Sequence, residues 1–177
     1  MPVSNDRWRG GISYRPQALA HIRRTVRTWE CILDIGPGVG TWSKLLPEYF
    51  NMDAVEVWAP YVSEFGLKSL YRNVYVESIV TFDFEWYDFI IMGDVLEHLT
   101  VEDAQRTLQK LWHRSGDFVI GVPYECPQRG KENRHEEHKQ PDLTPEVVTN
   151  RYGDFMSLLA KNEGYGYYVK QHTKAGL

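Results

Sequence analysis

The chain has 177 residues, 42% hydrophobic and 25% charged, and its 20 Lys+Arg against 24 Asp+Glu leave a formal net charge of -4. That suits one globular domain and excludes a general polycation of the kind that neutralises many phosphates. Cys31 and Cys126 are the only cysteines and form no CxxC pair, which excludes a disulfide scaffold or thiolate metal cage, and no apolar run approaches the roughly 20 residues that span a bilayer. A soluble, cytoplasmic protein is expected.

Residues 16–29 place Leu19, Ile22 and Val26 at helical spacing, with arginines on the other face, and so predict an amphipathic leader helix. This leader, residues 1–29, is read as part of the same domain as residues 30–177. The apolar run from Glu30 to Ile35 stops in Gly36-Pro37-Gly38-Val39-Gly40, after which Thr41 or Ser43 starts a helix: strand, glycine turn, helix. Ala54 to Trp58 predicts a second strand, and Pro60 opens a helix running to about Leu70. Val74 to Glu77 and Asp88 to Met92 are the third and fourth strands. Thr100-Val101-Glu102-Asp103 is a capping sequence that starts the next helix. Phe118 to Val122 is a fifth strand, stopped by Pro123. Short apolar strands, each followed by a helical pattern, predict an α/β fold with a doubly wound, Rossmann-like, mostly parallel sheet. The end differs. A polar loop of roughly twenty residues leads to a short helix around Leu143 to Val148, and then Phe155 to Leu159 and Tyr165 to Val169 flank Asn162-Glu163-Gly164 as an antiparallel hairpin.

Charge is unevenly spread. Residues 1–30 carry Arg7, Arg9, Arg15, Arg23, Arg24 and Arg27 against Asp6 and Glu30, whereas residues 73–105 carry eight acids and no Lys or Arg. Solvated helix and loop faces account for both runs, and the acidic run also suits the border of a site for a cation.

Gly36, Gly38 and Gly40 follow a strand and open a helix, so the backbone there is open to a ligand carboxylate or phosphate. The dinucleotide fingerprint GxGxxG is not met, because its third glycine falls one place early and Thr41 follows. Glu56 stands 20 residues beyond Gly36 at the end of the second strand, where a carboxylate accepts ribose hydroxyls, and Trp58 is placed to cover an adenine face.

Asp34-Ile35-Gly36-Pro37-Gly38-Val39-Gly40, Glu56 and the run from Tyr87 to His98 resemble the successive motifs of class I S-adenosylmethionine-dependent methyltransferases. The match extends from about Glu30 to Val122, and the terminal hairpin is similar to the end of that family's seven-stranded sheet. The resemblance implies S-adenosyl-L-methionine as cofactor. Asp34, Gly36, Gly38 and Gly40 would lie along its methionine part, with Glu56 on the ribose and Glu77 and Ser78 near adenine, though Glu77 replaces the usual Asp. Asp94 and Leu96-Glu97-His98 would border the sulfonium and the acceptor. A sulfonium and an ammonium need acids nearby, which the run 73–105 supplies.

His98 is a candidate general base on the acceptor, with a loop-fixing role as the alternative. His135 and His138, in His135-Glu136-Glu137-His138, are further catalytic candidates placed to reach the same cleft. That tetrad is not HExxH, and no metal is expected. The reading is methyl transfer to an unidentified acceptor, with a small molecule or protein side chain favoured. Neither an aromatic-rich basic strand nor an Asn-Pro-Pro-Tyr type tetrapeptide is present to mark nucleic acid, and no membrane partner is expected. The rivals are a nicotinamide-dependent oxidoreductase on the same kind of sheet and a noncatalytic adenosyl-binding module docked by its Arg-rich leader. Oligomeric state is not legible.

Overall fold

Every apolar run that predicted a strand enters one seven-stranded sheet, in the order β3-β2-β1-β4-β5-β7-β6. The structure is a computed structural model and describes residues 15–130 and 132–172. Arg7, Arg9 and Asp6 of the leader lie outside that range. In chain order the elements are α1 (Arg15–Thr25), β1 (Ile32–Ile35), α2 (Thr41–Leu45), β2 (Met52–Glu56), α3 (Ala59–Glu64), β3 (Val74–Val76) and β4 (Tyr87–Gly93). There follow α4 (Val101–Arg114), β5 (Ser115–Pro123), α5 (Pro145–Tyr152), β6 (Met156–Lys161) and β7 (Tyr165–Lys170). Single 3-10 turns stand at Leu67–Ser69, Leu96–His98 and Arg134–Glu136.

β1 to β5 are parallel, and β1 lies inside the sheet, pairing Ile35 with Val55 on one side and Met92 on the other. β7 then inserts antiparallel between β5 and β6 to make the expected hairpin. Their apolar character has a direct cause: β1, β2 and most of β4 and β5 are buried on both faces, so nearly every side chain meets protein. One face packs Leu33, Ile90 and Phe118 against Leu108 and Leu111 of α4. The other packs Ile32, Phe89 and Val119 against Ala18 and Ile22 of α1. The leader helix is thus seated in the core, and His21 ties it to the start of β5 through Asp117 at 3.0 Å.

Local chemistry sets the boundaries. Thr100 caps α4, its hydroxyl oxygen accepting from the Asp103 amide at 3.1 Å. Thr100→Ala should lower stability by about 1 kcal/mol, a shift of roughly 3 °C in thermal midpoint, with secondary structure unchanged by circular dichroism. The helix expected from Pro60 to about Leu70 is shorter. It ends at Glu64, and Gly66, at φ +63, turns the chain into the Leu67–Ser69 turn. The second strand likewise ends at Glu56, before Val57 and Trp58.

Candidate functional site

Parallel strands in an open sheet deliver their following loops to one edge, and the crevice forms where the connections diverge to opposite sides of the sheet. Here that place is the carboxyl edge of β1, between β2 and β4. A cavity of about 580 Å³ opens there. Its floor is the glycine loop, with Gly36, Gly38 and Gly40 at φ +65, +51 and +73. A methyl group on Gly36 would collide with the Val95 side chain, whereas one on Gly38 would meet nothing within 4 Å, so the loop borders open space there. The following α2 is a single five-residue turn, and the loop's own amides are engaged: Gly36 donates to the Val55 carbonyl at 2.9 Å, Gly40 to the Pro37 carbonyl at 2.8 Å, and Gly38 to Glu56.

Beside the loop stands Glu56, 4% exposed at the end of β2. Its Oε1 accepts the Trp58 amide at 2.8 Å. Burial raises the carboxyl above the usual range, and hydrogen bonds from the Trp58 and Gly38 amides pull it partly back. Glu77 and Ser78, from the loop after β3, close the same side.

The other half of the cavity is built from the ends of β4 and β7, the loop after β5, and α1. Asp94 lines it from a strained turn at φ +55. Burial raises its carboxyl to about 6 against a hydrogen bond from Tyr165, and its Oδ1 is buried without a partner. Arg15, Arg134 and Lys139 bring cationic side chains to this half.

Behind that wall Glu97, His98 and His138 converge, and their nearest ligand atoms all lie within 4.8 Å of one another. His98 Nδ1 lies 3.2 Å from the Glu137 carbonyl, and His138 Nδ1 contacts the Cys126 carbonyl. Both Nε2 atoms therefore turn toward Glu97, at 3.8 and 3.9 Å from its Oε1. The imidazole rings meet edge to face at 4.7 Å. Burial lowers both histidines, with the neighbouring His138 adding to the effect at His98, and burial raises Glu97 well above the carboxylate range, with Asp94 adding to it.

The residues anticipated for the cofactor divide. Gly36, Gly38, Glu56, Glu77, Ser78 and Asp94 line the cavity. Asp34 lies beneath the floor, fully buried, accepting the Tyr71 hydroxyl at 2.5 Å. Gly40 serves the turn, where a side chain would strike Leu70. Trp58 turns toward the loop after β5, its ring 6.1 Å from that of His135. Of the three histidines, His98 and His135 line the cavity and His138 is buried against His98, so the tetrad is split. Sequence reasoning missed Arg15, Tyr61, Tyr165 and Tyr167 as cavity residues. Their only signal was amphipathic patterning, which marks a face and not a destination.

No protein-family profile matches the chain, and no curated protein matches it by sequence. Solved structures do match by shape. An S-adenosylmethionine-dependent methyltransferase from Clostridium acetobutylicum ATCC 824 superposes with a TM-score of 0.68 at 14% identity, covering 95% of this chain and 92% of that one. The methyltransferase domain of bacterial CtHen1-CN gives a TM-score of 0.64 at 19% identity, covering 90% and 99%. DhpI, solved in a complex with SAM and HEP, gives 0.66 at 16% identity, covering 90% and 86%. With the strand order and reversed final hairpin, these likenesses establish that the chain has the seven-stranded fold of class I S-adenosylmethionine-dependent methyltransferases.

Proposed function

We propose that the chain is an S-adenosylmethionine-dependent methyltransferase whose acceptor is a small molecule or a protein side chain. The observation that carries this reading is the pairing, in the lining of one cavity, of the side-chain-free turn Gly36 to Gly38 with the buried carboxyl of Glu56 at the end of the neighbouring strand. A nucleoside with an amino-acid tail is complementary to this pairing: its vicinal ribose hydroxyls suit Glu56, and the open space beside Gly38 leaves room for the tail. The cofactor, when bound, supplies a methyl carbon activated by its sulfonium.

The chain's own residues then bind, orient and exclude water. Asp94, ionised above about pH 6, places negative charge at the edge of the cavity's acceptor half. Tyr165 and Tyr167 wall that half, and holding an acceptor atom about 3 Å from the methyl carbon supplies much of the catalysis. Arg15, Arg134 and Lys139 favour an acceptor that carries negative charge beside its nucleophile.

Calorimetry with S-adenosylhomocysteine and with NADH tests the cofactor half. Micromolar binding of the first and none of the second is expected. Tighter binding of NADH would replace this reading with the oxidoreductase. Transfer of a labelled methyl group into fractionated metabolite, protein and RNA pools tests the acceptor half: label in metabolite or protein supports it, and label in RNA alone overturns it. Cofactor binding without transfer to any pool would favour the noncatalytic module.

A further inference from the structure

We propose that Glu97, His98 and His138 form a site for a divalent transition-metal ion, opening through His98 onto the methyl-transfer cavity, where the ion would bind a hydroxyl oxygen of the acceptor. The proposal reverses the expectation of no metal. Its acceptor half rests on the methyltransferase reading.

Three features of the cluster lack another explanation. First, both Glu97 carboxylate oxygens and His138 Nε2 are buried without a hydrogen-bond partner among the described residues, in side chains only 1% exposed. An unpartnered buried polar atom is costly, and two such side chains aimed at one point are what a bound cation would compensate. Second, separations of 3.8 and 3.9 Å from Glu97 Oε1 to the two Nε2 atoms are too long for hydrogen bonds. They leave a gap that one ion, at roughly 2.0 to 2.2 Å from each donor, would bridge. Third, each imidazole has its Nδ1 against a backbone carbonyl, of Glu137 and of Cys126. That fixes the proton on Nδ1 and turns the Nε2 lone pair inward, the arrangement that orients ligating histidines.

Two imidazoles and one carboxylate select the ion. Such donors suit Zn²⁺, Mn²⁺, Fe²⁺ or Co²⁺, whereas Mg²⁺ and Ca²⁺ prefer sets made of oxygen alone. Three protein donors leave open positions, the mark of a site that takes a substrate or water in place of a purely structural ion. His98 is the ligand that also lines the cavity, so those positions face the acceptor half. A hydroxyl coordinated there has a lowered pKa. Its oxygen attacks the methyl carbon as the carbon–sulfur bond breaks; the electron pair passes to sulfur, S-adenosylhomocysteine leaves, and the hydroxyl proton passes to solvent.

The test uses the full chain, dialysed against chelator and titrated with Co²⁺ and Mn²⁺. One equivalent of Co²⁺ should bind at micromolar concentration or tighter, with visible bands of nitrogen and oxygen ligation and no thiolate charge-transfer band. Bound Mn²⁺ should enhance water-proton relaxation, because its open positions exchange with solvent. Glu97→Gln and His138→Gln should each weaken Co²⁺ binding at least about 100-fold while leaving S-adenosylhomocysteine affinity within about twofold, which also reports that the variant has folded. Glu56→Ala should show the converse, losing S-adenosylhomocysteine and keeping Co²⁺, so the metal site and the cofactor reading fail separately. Wild-type Co²⁺ binding no tighter than millimolar would overturn the site. Tight Mn²⁺ binding without relaxation enhancement would overturn its role in holding an acceptor.

Discussion

Glu56→Ala should weaken binding of S-adenosylhomocysteine by about 100-fold with no loss of fold. The carboxylate closes one side of the cavity from the end of β2, held by the Trp58 amide at 2.8 Å. A pair of charge-assisted hydrogen bonds to vicinal hydroxyls is worth roughly 1.5 to 3 kcal/mol each, and loss of even the lower sum approaches 3 kcal/mol. Stability should not follow affinity downward. Burial already disfavours the Glu56 charge, so removing it relieves a cost that offsets the lost contact with Trp58. Calorimetry paired with thermal unfolding separates the two quantities. An unchanged dissociation constant in a folded variant would show that the ribose does not lie on β2. Glu56→Gln should fall between, since an amide oxygen still accepts one hydrogen bond without the charge.

Asp34→Asn should abolish a pH dependence of stability that the native chain carries below the cavity. Asp34 is fully buried, with Oδ1 unpartnered and Oδ2 accepting only the Tyr71 hydroxyl. Burial raises its carboxyl to about 7, a rise that the Tyr71 hydrogen bond opposes and the nearby Glu56 reinforces. In the unfolded chain the same group titrates near its ordinary value of about 3.9. Between those two values the folded state binds more protons than the unfolded state, so stability falls as pH rises and levels off above about pH 7. From pH 5 to 8 the loss attributable to this one group is about 3 kcal/mol, or roughly 6 to 12 °C in thermal midpoint for a chain of this size. Other groups titrate over the same range, so the informative quantity is the difference between native chain and variant. The Asn variant should gain on the native chain steadily from pH 5 to 8. A difference independent of pH would mean that Asp34 is already ionised in the fold at pH 5.

The sequence by itself determined the local vocabulary of this protein, and tertiary structure decided where the chemistry meets. Period and punctuation are set by stereochemistry within a few residues. Apolar runs buried on both faces read as parallel strands, Thr100 shows its cap by the acid three places on, and the glycines of residues 36–40 mark a turn that reaches positive φ. The position of Glu56 was legible because it depends only on ending the strand beside the glycine loop. Asp34, expected along the cofactor, is fully buried against Tyr71, because motif position does not reveal that the Tyr71 hydroxyl lies 2.5 Å away. Trp58, expected over an adenine face, follows a strand that ends two residues earlier, and its ring stands against that of His135. That His98 and the loop of His138 meet was expected, although they stand 40 residues apart, because the pairing of β4 with β5 brings the loops leaving both strands to one edge of the sheet. That Glu97 turns inward to join them was not legible. Arg15, Tyr165 and Tyr167 reach the cavity for a related reason: α1 covers one face, and β7 inserts next to β5 rather than at the sheet's margin. Local propensity cannot specify such convergence, because it depends on which elements become neighbours when the whole apolar surface is buried at once.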